Sequence, residues 1–240
     1  MKKKLHSYFR PLVRCLFIKS NIFFSERMAD FILRFVYRCK LLCWLKAHPC
    51  REFNSHFGQN NRYNLYQFIF ETEHLEADID YLEFGVARGS SFIWWSSKNK
   101  HPKSRFVGFD TFTGLPEAWD NVPAGSFTVH RGIPQIQDSR CIFEVGLFQD
   151  TLFGFLGRFA LDRRTVVHID CDLYSSTLFV LTALAPRLKK NDIIMFDELG
   201  SIRHPTHEFR ALCDFSSVYK LSYKVIGACD FYYSVALKLT

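Results

Sequence analysis

The chain has 240 residues, of which 48% are hydrophobic and 26 are phenylalanine, and its formal net charge is +7. This composition excludes a disordered chain, and the length suits one α/β domain with a sizeable core. The positive charge lies at one end, because residues 1–52 hold 12 Lys and Arg against 3 Asp and Glu, whereas residues 53–240 hold 19 against 21.

We interpret residues 1–52 as a basic amphipathic helical extension, in which bulky apolar side chains such as Phe35 and Trp44 alternate with Arg and Lys. A helix of this kind can lie on an anionic membrane surface. The interpretation that we favour is a cap packed on the domain or on a second subunit, as in a homo-oligomer; RNA is a third option, and no nucleic-acid partner is expected. No uncharged run reaches the 18 residues of a membrane span.

The cysteine pattern favours a reduced, cytoplasmic protein. None of the eight cysteines forms a Cys-x-x-Cys pair, and several lie in apolar runs, as small core residues do. Arg10, Arg14 and Lys19 interrupt the apolar residues near the start of the chain, which argues against a secretion signal.

A polar stretch at 51–60 reads as a linker, and strand and helix signals then alternate through residues 53–240, which predicts a parallel sheet with crossover helices. The expected strands are 80–85, 105–110, 141–147, 165–170 and 192–197, and the expected helices are 62–75, 89–99, 151–160, 174–188 and 204–216. Two final runs, 221–228 and 231–237, predict an antiparallel hairpin.

The sequence Tyr-Leu-Glu-Phe-Gly-Val-Ala-Arg-Gly-Ser-Ser at 81–91 is typical of a buried strand, a tight turn and a helix start. Glycine in such a turn allows backbone N–H groups to approach a ligand, and Glu83 at the strand tip can accept hydrogen bonds. Asp110 ends the second strand, where an acid is placed to bind ribose hydroxyls; it also suits the following turn. The irregular stretch 111–140 is a candidate lid.

Two further strands end in paired carboxylates, Asp170 with Asp172 and Asp197 with Glu198. If these strands are adjacent and parallel, four carboxylates meet at the edge where α/β proteins bind ligands. The repulsion favours a hard divalent cation such as Mg²⁺, although Ca²⁺ or Mn²⁺ would suit the same oxygens. The alternative is that Asp172 caps a helix and the others face solvent.

Five motifs in order resemble the macrocin O-methyltransferase family, a group of class I S-adenosylmethionine-dependent enzymes. They are the 81–89 motif, Gly-Phe-Asp-Thr-Phe-Thr-Gly-Leu-Pro-Glu at 108–117, Phe-Gln-Asp-Thr-Leu at 148–152, Asp-Cys-Asp-Leu-Tyr-Ser-Ser-Thr at 170–177 and Phe-Asp-Glu at 196–198. The resemblance implies a Rossmann-like, seven-stranded, mostly parallel sheet and metal-assisted methylation of a sugar, glycan or natural-product hydroxyl.

The resemblance also implies site residues. Those expected to bind S-adenosylmethionine are Glu83, Gly85, Gly89, Ser90, Asp110 and Asp150. Those expected to bind the metal are Asp170, Asp197 and Glu198, with Asp172 in reserve. Asp170, His204 and His207 are the candidate catalytic residues, the two histidines as general bases, although both could simply be exposed. We expect His168, inside a strand, to be structural.

Three other functions fit the sequence less well. A nucleotide-dependent oxidoreductase or epimerase lacks the Gly-x-Gly-x-x-Gly turn here. A nucleic-acid methyltransferase lacks Asn/Asp-Pro-Pro-Tyr at the strand tip, and the domain is not basic. A non-catalytic scaffold of the same fold, held at a membrane by residues 1–50, is disfavoured by the intact acidic tips.

Overall fold

The computed structural model describes residues 25–50, 53–55, 61–129 and 132–240. The helices in these ranges are α1 (Glu26–Ala47), α2 (Asn61–Thr72), α3 (Ser90–Lys98), α4 (Phe148–Arg158), α5 (Tyr174–Leu184) and α6 (Glu208–Tyr219). The strands are β1 (Asn54–Ser55), β2 (Ile79–Phe84), β3 (Arg105–Asp110), β4 (Cys141–Val145), β5 (Arg164–Ile169), β6 (Ile193–Phe196), β7 (Tyr223–Cys229) and β8 (Ser234–Leu239).

The strands form one sheet in the order β1-β7-β8-β6-β5-β2-β3-β4. Only β8 runs antiparallel to its neighbours β6 and β7; the other pairs are parallel. The seven predicted strands, which are β2 to β8, their mostly parallel Rossmann-like arrangement and the terminal hairpin are therefore confirmed, and β1 is an eighth strand. The two-residue strand β1 adds an edge within 51–60, so the prediction of a linker there is wrong for residues 54 and 55.

The sheet has a hydrophobic core on both faces, because its central strands β2, β5 and β6 are buried along nearly their whole length. One core contains Leu82, Val167 and Phe209 and is covered by α4, α5 and α6. The other contains Tyr81, Val166 and Trp95 and is covered by α2 and α3. Continuous apolar strands covered on both faces are typical of parallel sheets.

The extension predicted at the N-terminus is a helix where it is described. Helix α1 begins after Ser25, whose hydroxyl accepts a hydrogen bond from the Met28 N–H at 3.3 Å. Tyr37 and Leu41 are buried in the first core, and the Trp44 indole N–H donates to the Tyr223 hydroxyl at 2.9 Å. This face of α1 therefore packs on the domain; the part of the prediction that concerns residues 1–24 lies outside the described residues.

The outer side of α1 is exposed and apolar. Phe31 is 63% exposed and Phe35 is 59% exposed, and Met28, Ile32, Val36 and Leu42 are exposed with them. The helix thus has one apolar face on the core and a second one facing outward. None of the described helices has the length and apolar character needed to cross a membrane.

Helix α6 starts four residues later than the predicted helix 204–216. His204 and His207 therefore lie in the loop that precedes the helix, and not on its first turn. None of the seven cysteines in the described part forms a disulfide bond.

Candidate functional site

A cavity of about 270 Å³ lies at the carboxyl ends of the central strands, which is the edge where parallel sheets bind ligands. Its wall is formed by the turn after β2, the loop after β3, the start of α4 and the acidic tips after β5 and β6. The lining residues are Gly85, Ala87, Asp110, Thr111, Gly114, Leu115, Pro116, Trp119, Phe127, Leu147, Phe148, Gln149, Asp170, Cys171, Asp172, Ser176 and Glu198.

The glycine turn is joined to the second strand tip by a carboxylate. Asp110 accepts hydrogen bonds from the Ala87 N–H and the Phe112 N–H, both at 2.7 Å. Each carboxylate oxygen keeps a further lone pair, so Asp110 can still accept from a ligand. Gly85 has a φ of +93°, and a Cβ there would lie 1.8 Å from the Asp170 carbonyl oxygen. Glycine at this position is thus required by the close approach of β5's tip.

Four of the six residues predicted to bind S-adenosylmethionine lie off the cavity wall. Glu83 is fully buried, and Gly89 precedes α3 against the Pro134 ring. Ser90 and Asp150 are exposed. Gly85 and Asp110 are the two that the structure brings to the cavity.

Glu83 belongs to a buried chain of hydrogen bonds. Its carboxylate accepts from the Ser91 hydroxyl at 2.7 Å and from the Tyr81 hydroxyl. His168 lies next in this chain, with Nδ1 2.9 Å from the Tyr81 hydroxyl and Nε2 3.2 Å from the Tyr66 hydroxyl. Both histidine nitrogens therefore have partners inside the core, in agreement with the structural role expected of His168.

The two acidic tips are adjacent, as predicted, because β5 pairs in parallel with β6. Asp170, Asp172 and Glu198 line the cavity. Burial and the neighbouring charges of Glu198 and Asp197 raise the pKa of Asp172 to about 7. Burial and Asp197 likewise raise the pKa of Asp170 well above its usual range. None of the described residues that line the cavity is an arginine, a lysine or a histidine.

Asp197 points to a different partner. Its Oδ2 lies 3.1 Å from Nη1 of Arg62, and the same nitrogen lies 4.0 Å from Asp170 Oδ2. The Ser234 hydroxyl contacts Asp197 Oδ1 at 3.4 Å. A guanidinium from α2 thus partly neutralises two of the predicted metal ligands.

The carboxylates at the strand tips suit a hard cation, although the three predicted ligands, Asp170, Asp197 and Glu198, do not all lie close together. Ligand atoms of His168, Asp170 and Asp197 lie within 4.8 Å of one another, and Glu198 does not join this group. Glu198 accepts from the Tyr233 hydroxyl at 2.5 Å through Oε1, while its Oε2 is buried and has no hydrogen-bond partner among the described residues. An unpaired buried carboxylate oxygen beside two other carboxyls suits an oxygen-binding cation.

The predicted bases His204 and His207 do not reach the cavity wall. His204 Nδ1 lies 2.5 Å from Asp120 Oδ2, and His207 Nε2 lies 3.3 Å from Asp120 Oδ1. The Tyr174 N–H donates to Nδ1 of His207 at 3.3 Å. The reading of these histidines as exposed is therefore wrong, since Asp120 and the Trp119 ring hold both of them.

Sequence reasoning missed several residues of the site. Trp119 and Phe127 lie in the stretch that was predicted as a lid, and Gln149 lines the cavity in place of its neighbour Asp150. Leu115 and Pro116 also line the cavity, but the 108–117 motif to which they belong predicted no binding role for them. No signal in the sequence pointed to Arg62, because its partners follow it by more than 100 residues.

Comparison with known proteins assigns the class. A family model described as "Methyltransferase domain" matches residues 82–199, which include the glycine turn, the cavity loop and both acidic tips. This match shows a methyltransferase domain at residues 82–199, and the strand order described above is that of the class I, S-adenosylmethionine-dependent fold. The resemblance drawn from the five motifs is confirmed.

A curated relative is the 8-demethyl-8-(2,3-dimethoxy-alpha-L-rhamnosyl)-tetracenomycin-C 4'-O-methyltransferase of Streptomyces olivaceus. It is 28% identical over 158 residues, and the match spans 55% of this chain and 58% of that protein.

Two solved structures share the fold. The calicheamicin methyltransferase CalS11 has a TM-score of 0.58 at 20% identity, covering 90% of this chain and 94% of its own. The O-methyltransferase NovP has a TM-score of 0.54 at 20% identity, covering 74% and 78%. At these identities the likeness establishes the fold alone.

Proposed function

We propose that the protein transfers the methyl group of S-adenosylmethionine to a hydroxyl oxygen of a sugar, either free or within a glycan or natural product. One observation carries the proposal: within a methyltransferase domain, the glycine turn, Asp110 and three carboxylates line one cavity. Such a cavity has places for both a cofactor and a hydroxylated acceptor.

The cofactor half of the cavity is formed by Gly85, Asp110 and the stretch 147–149. Asp110 is placed for the ribose hydroxyls, because it ends β3 beside the glycine turn. Leu147 and Phe148 offer an apolar wall on the same side, which suits a purine ring. The earlier assignments of Glu83, Gly89, Ser90 and Asp150 have no contact with the cavity to support them.

The sugar acceptor is proposed from the relatives. The curated relative is named for methylation of a rhamnosyl group. A second structure of CalS11, with a TM-score of 0.51 at 19% identity, describes that protein as a TDP-rhamnose 3'-O-methyltransferase. A deoxysugar, free or linked to a nucleotide, is therefore the first acceptor class to test.

A divalent cation such as Mg²⁺ forms part of this proposal. We choose Asp170, Asp172 and Glu198 as ligands because all three line the cavity, while Asp197, which lies close to Asp170, would have to release Arg62 to join them. When bound, the cation would lower the pKa of the acceptor hydroxyl. Asp172, which the motifs gave only as a reserve ligand, is therefore proposed as a ligand of the cation. Asp197 can act as a ligand only if its ion pair with Arg62 breaks.

The reaction requires an in-line displacement. The hydroxyl oxygen forms a bond to the methyl carbon as the bond from that carbon to sulfur breaks, which leaves S-adenosylhomocysteine, a methyl ether and one proton. Asp170 is the candidate base, because it lines the cavity whereas His204 and His207 are bound to Asp120. Its carboxylate would hold the acceptor oxygen and take its proton.

We also propose that the outer face of α1 contacts an anionic membrane. Its exposed apolar residues, Phe31 and Phe35 among them, are accompanied by the exposed cations Arg27, Lys40 and Lys46. Residues 1–24 carry six Lys and Arg and no Asp or Glu. This charge favours anionic lipid over a second copy of the same basic helix.

The proposed activity is tested by incubating the full chain with S-adenosylmethionine labelled in its methyl group. The acceptors are TDP-rhamnose, methyl rhamnoside and a glycan panel, with Mg²⁺ or with EDTA. We expect label in a sugar with Mg²⁺. Binding of S-adenosylmethionine without transfer to any hydroxyl would refute the acceptor class, and no binding at all would refute the activity.

A further inference from the structure

The loop after β3 carries a buried indole in the cavity wall. Trp119 is 7% exposed, and its Nε1 has no hydrogen-bond partner in the described part of the chain. A buried indole N–H normally finds an acceptor, because an unpaired buried donor loses its hydrogen bonds to water without replacement. Trp119, unlike the equally unpartnered core residue Trp95, lines the cavity, so a bound molecule can supply the acceptor that the described residues do not.

The backbone around Trp119 forms a tight turn. Trp119 and Val122 exchange two backbone hydrogen bonds, each 2.8 Å long. Asp120 takes a left-handed conformation in this turn, with a φ of +53°, which aspartate tolerates better than most residues. The turn directs the side chains of residues 119 and 120 to different partners.

Asp120 is the most heavily bonded group of this loop. Its side chain is 8% exposed and accepts from Arg34 of α1 through both oxygens, with Nη1 2.8 Å from Oδ2. His204 and His207 contact the same two oxygens from the loop before α6. Burial alone would raise the pKa of Asp120, but the hydrogen bonds from Arg34, His204 and His207 outweigh it and lower the pKa to about 2.

The indole is held from a second side as well. The ring of His204 lies against the ring of Trp119, with 4.4 Å between centroids. One carboxylate therefore fixes both the loop that bears Trp119 and the imidazole on which it packs. A bidentate guanidinium pair has a defined orientation, so the contact also fixes the loop's angle relative to α1.

We propose that Trp119 binds the methyl acceptor through its indole N–H, and that Asp120, held by Arg34, is the residue that positions it. The ligand class is a hydroxylated ring that offers an oxygen acceptor to the N–H and an apolar face to the indole. This inference rests on the proposed function for the identity of the acceptor. The positioning half of the proposal, which is the role of Asp120, concerns the loop alone and can be tested without an active enzyme assay.

The positioning half is tested by backbone hydrogen exchange in the full chain. Arg34→Gln and Asp120→Asn should speed exchange of the Trp119 and Val122 amides about tenfold, because the turn loses its anchor. Arg34→Lys should restore part of the protection. Arg27→Gln, on the exposed first turn of the same helix, is the matched control and should exchange like the wild type. Wild-type protection in Asp120→Asn would overturn this half.

The binding half is read from the indole ¹⁵N–¹H spectrum, which has four tryptophan signals. Trp119→Phe assigns one of them. With S-adenosylhomocysteine present, TDP-rhamnose or methyl rhamnoside should move the Trp119 signal and leave that of Trp44, whose N–H is bonded to Tyr223. For an acceptor that is methylated, Trp119→Phe should raise KM about tenfold, change kcat less than threefold and leave S-adenosylmethionine affinity within twofold.

The outcomes separate the two ideas. If an acceptor is methylated but neither moves the Trp119 signal nor shows a raised KM in Trp119→Phe, the binding half is wrong while the proposed function stands. If the wild type methylates no sugar and no probe moves the signal, the proposed function and the binding half fail together. Hydrogen exchange still decides the positioning half in that case.

Discussion

Arg62 and Asp197 form an ion pair in which guanidinium Nη1 lies 3.1 Å from carboxylate Oδ2. The same nitrogen approaches Asp170 Oδ2 at 4.0 Å, so a cation of the chain itself occupies the side of the acidic tips away from the cavity. This pair removes part of the repulsion that a divalent ion would otherwise relieve. It therefore competes with the proposed metal for Asp197.

Arg62→Gln should tighten binding of Mg²⁺ by about tenfold, because Asp197 then becomes available and the local charge falls by one. Isothermal titration of the full chain with MgCl₂ measures the affinity. Arg158→Gln removes an arginine from an exposed pair with Glu144 and serves as the control. Equal or weaker Mg²⁺ binding by Arg62→Gln would show that Arg62 does not compete.

EDTA should abolish most methyl transfer by the wild type while S-adenosylmethionine still binds, since the proposed cofactor residues Gly85, Asp110 and 147–149 are not among the proposed metal ligands. Glu198→Gln should weaken Mg²⁺ about tenfold or more through loss of a carboxylate ligand, and Glu76→Gln, an exposed residue, should not. In EDTA, Glu198→Gln should unfold at a higher temperature than the wild type, because like charges repel there. Full methyl-transfer activity in EDTA would contradict the proposal that a divalent cation takes part in the reaction.

Asp110→Asn should weaken S-adenosylmethionine by about 10- to 100-fold, because hydrogen bonds to a charged acceptor contribute about 1.5–3 kcal/mol. Asp150→Asn is the matched control, with the same chemistry on an exposed residue outside the cavity, and should change the affinity less than twofold. Calorimetric titration compares the two. A larger loss in Asp150→Asn would restore that residue to the cofactor site and remove Asp110 from it.

Gly85→Ala should lower the free energy of unfolding by about 2–5 kcal/mol, because the added Cβ meets the Asp170 carbonyl and the backbone is left-handed. Gly157→Ala is the control, since nothing lies within 4 Å of a Cβ there and alanine favours a helix. Denaturant unfolding measures both. A Gly85→Ala protein as stable as the wild type would mean that the close approach to Asp170 relaxes freely.

Phe31→Glu combined with Phe35→Glu should reduce binding to vesicles of phosphatidylglycerol and phosphatidylcholine at least tenfold, because each phenylalanine loses about 1.5–3 kcal/mol of burial. Val218→Glu changes an exposed apolar residue on α6 and should bind like the wild type. Flotation measures the bound fraction. A wild-type dimer by light scattering that becomes a monomer in the double variant would instead assign the face to a second copy.

The sequence by itself determined the sheet and the position of the site along the chain. Apolar runs that end in Gly85, Asp110, Asp170 and Asp197 predict buried parallel strands, and in such a sheet the carboxyl ends meet at one edge. The class followed from five motifs in order, because each lies at a strand tip or the helix start that the chemistry uses. These signals are local, so they can be read from neighbouring residues.

Only the tertiary structure decided which side chains face the cavity and which are held elsewhere. Arg34 meets Asp120 across 86 residues and Arg62 meets Asp197 across 135, and no local pattern encodes such pairs. His204 and His207 were expected to serve as bases, but the cavity loop brings Asp120 to them. Glu83, at a strand tip, turns inward to Tyr81 and Ser91. Side-chain direction depends on packing among distant elements, and this is why the roles of individual residues required the fold.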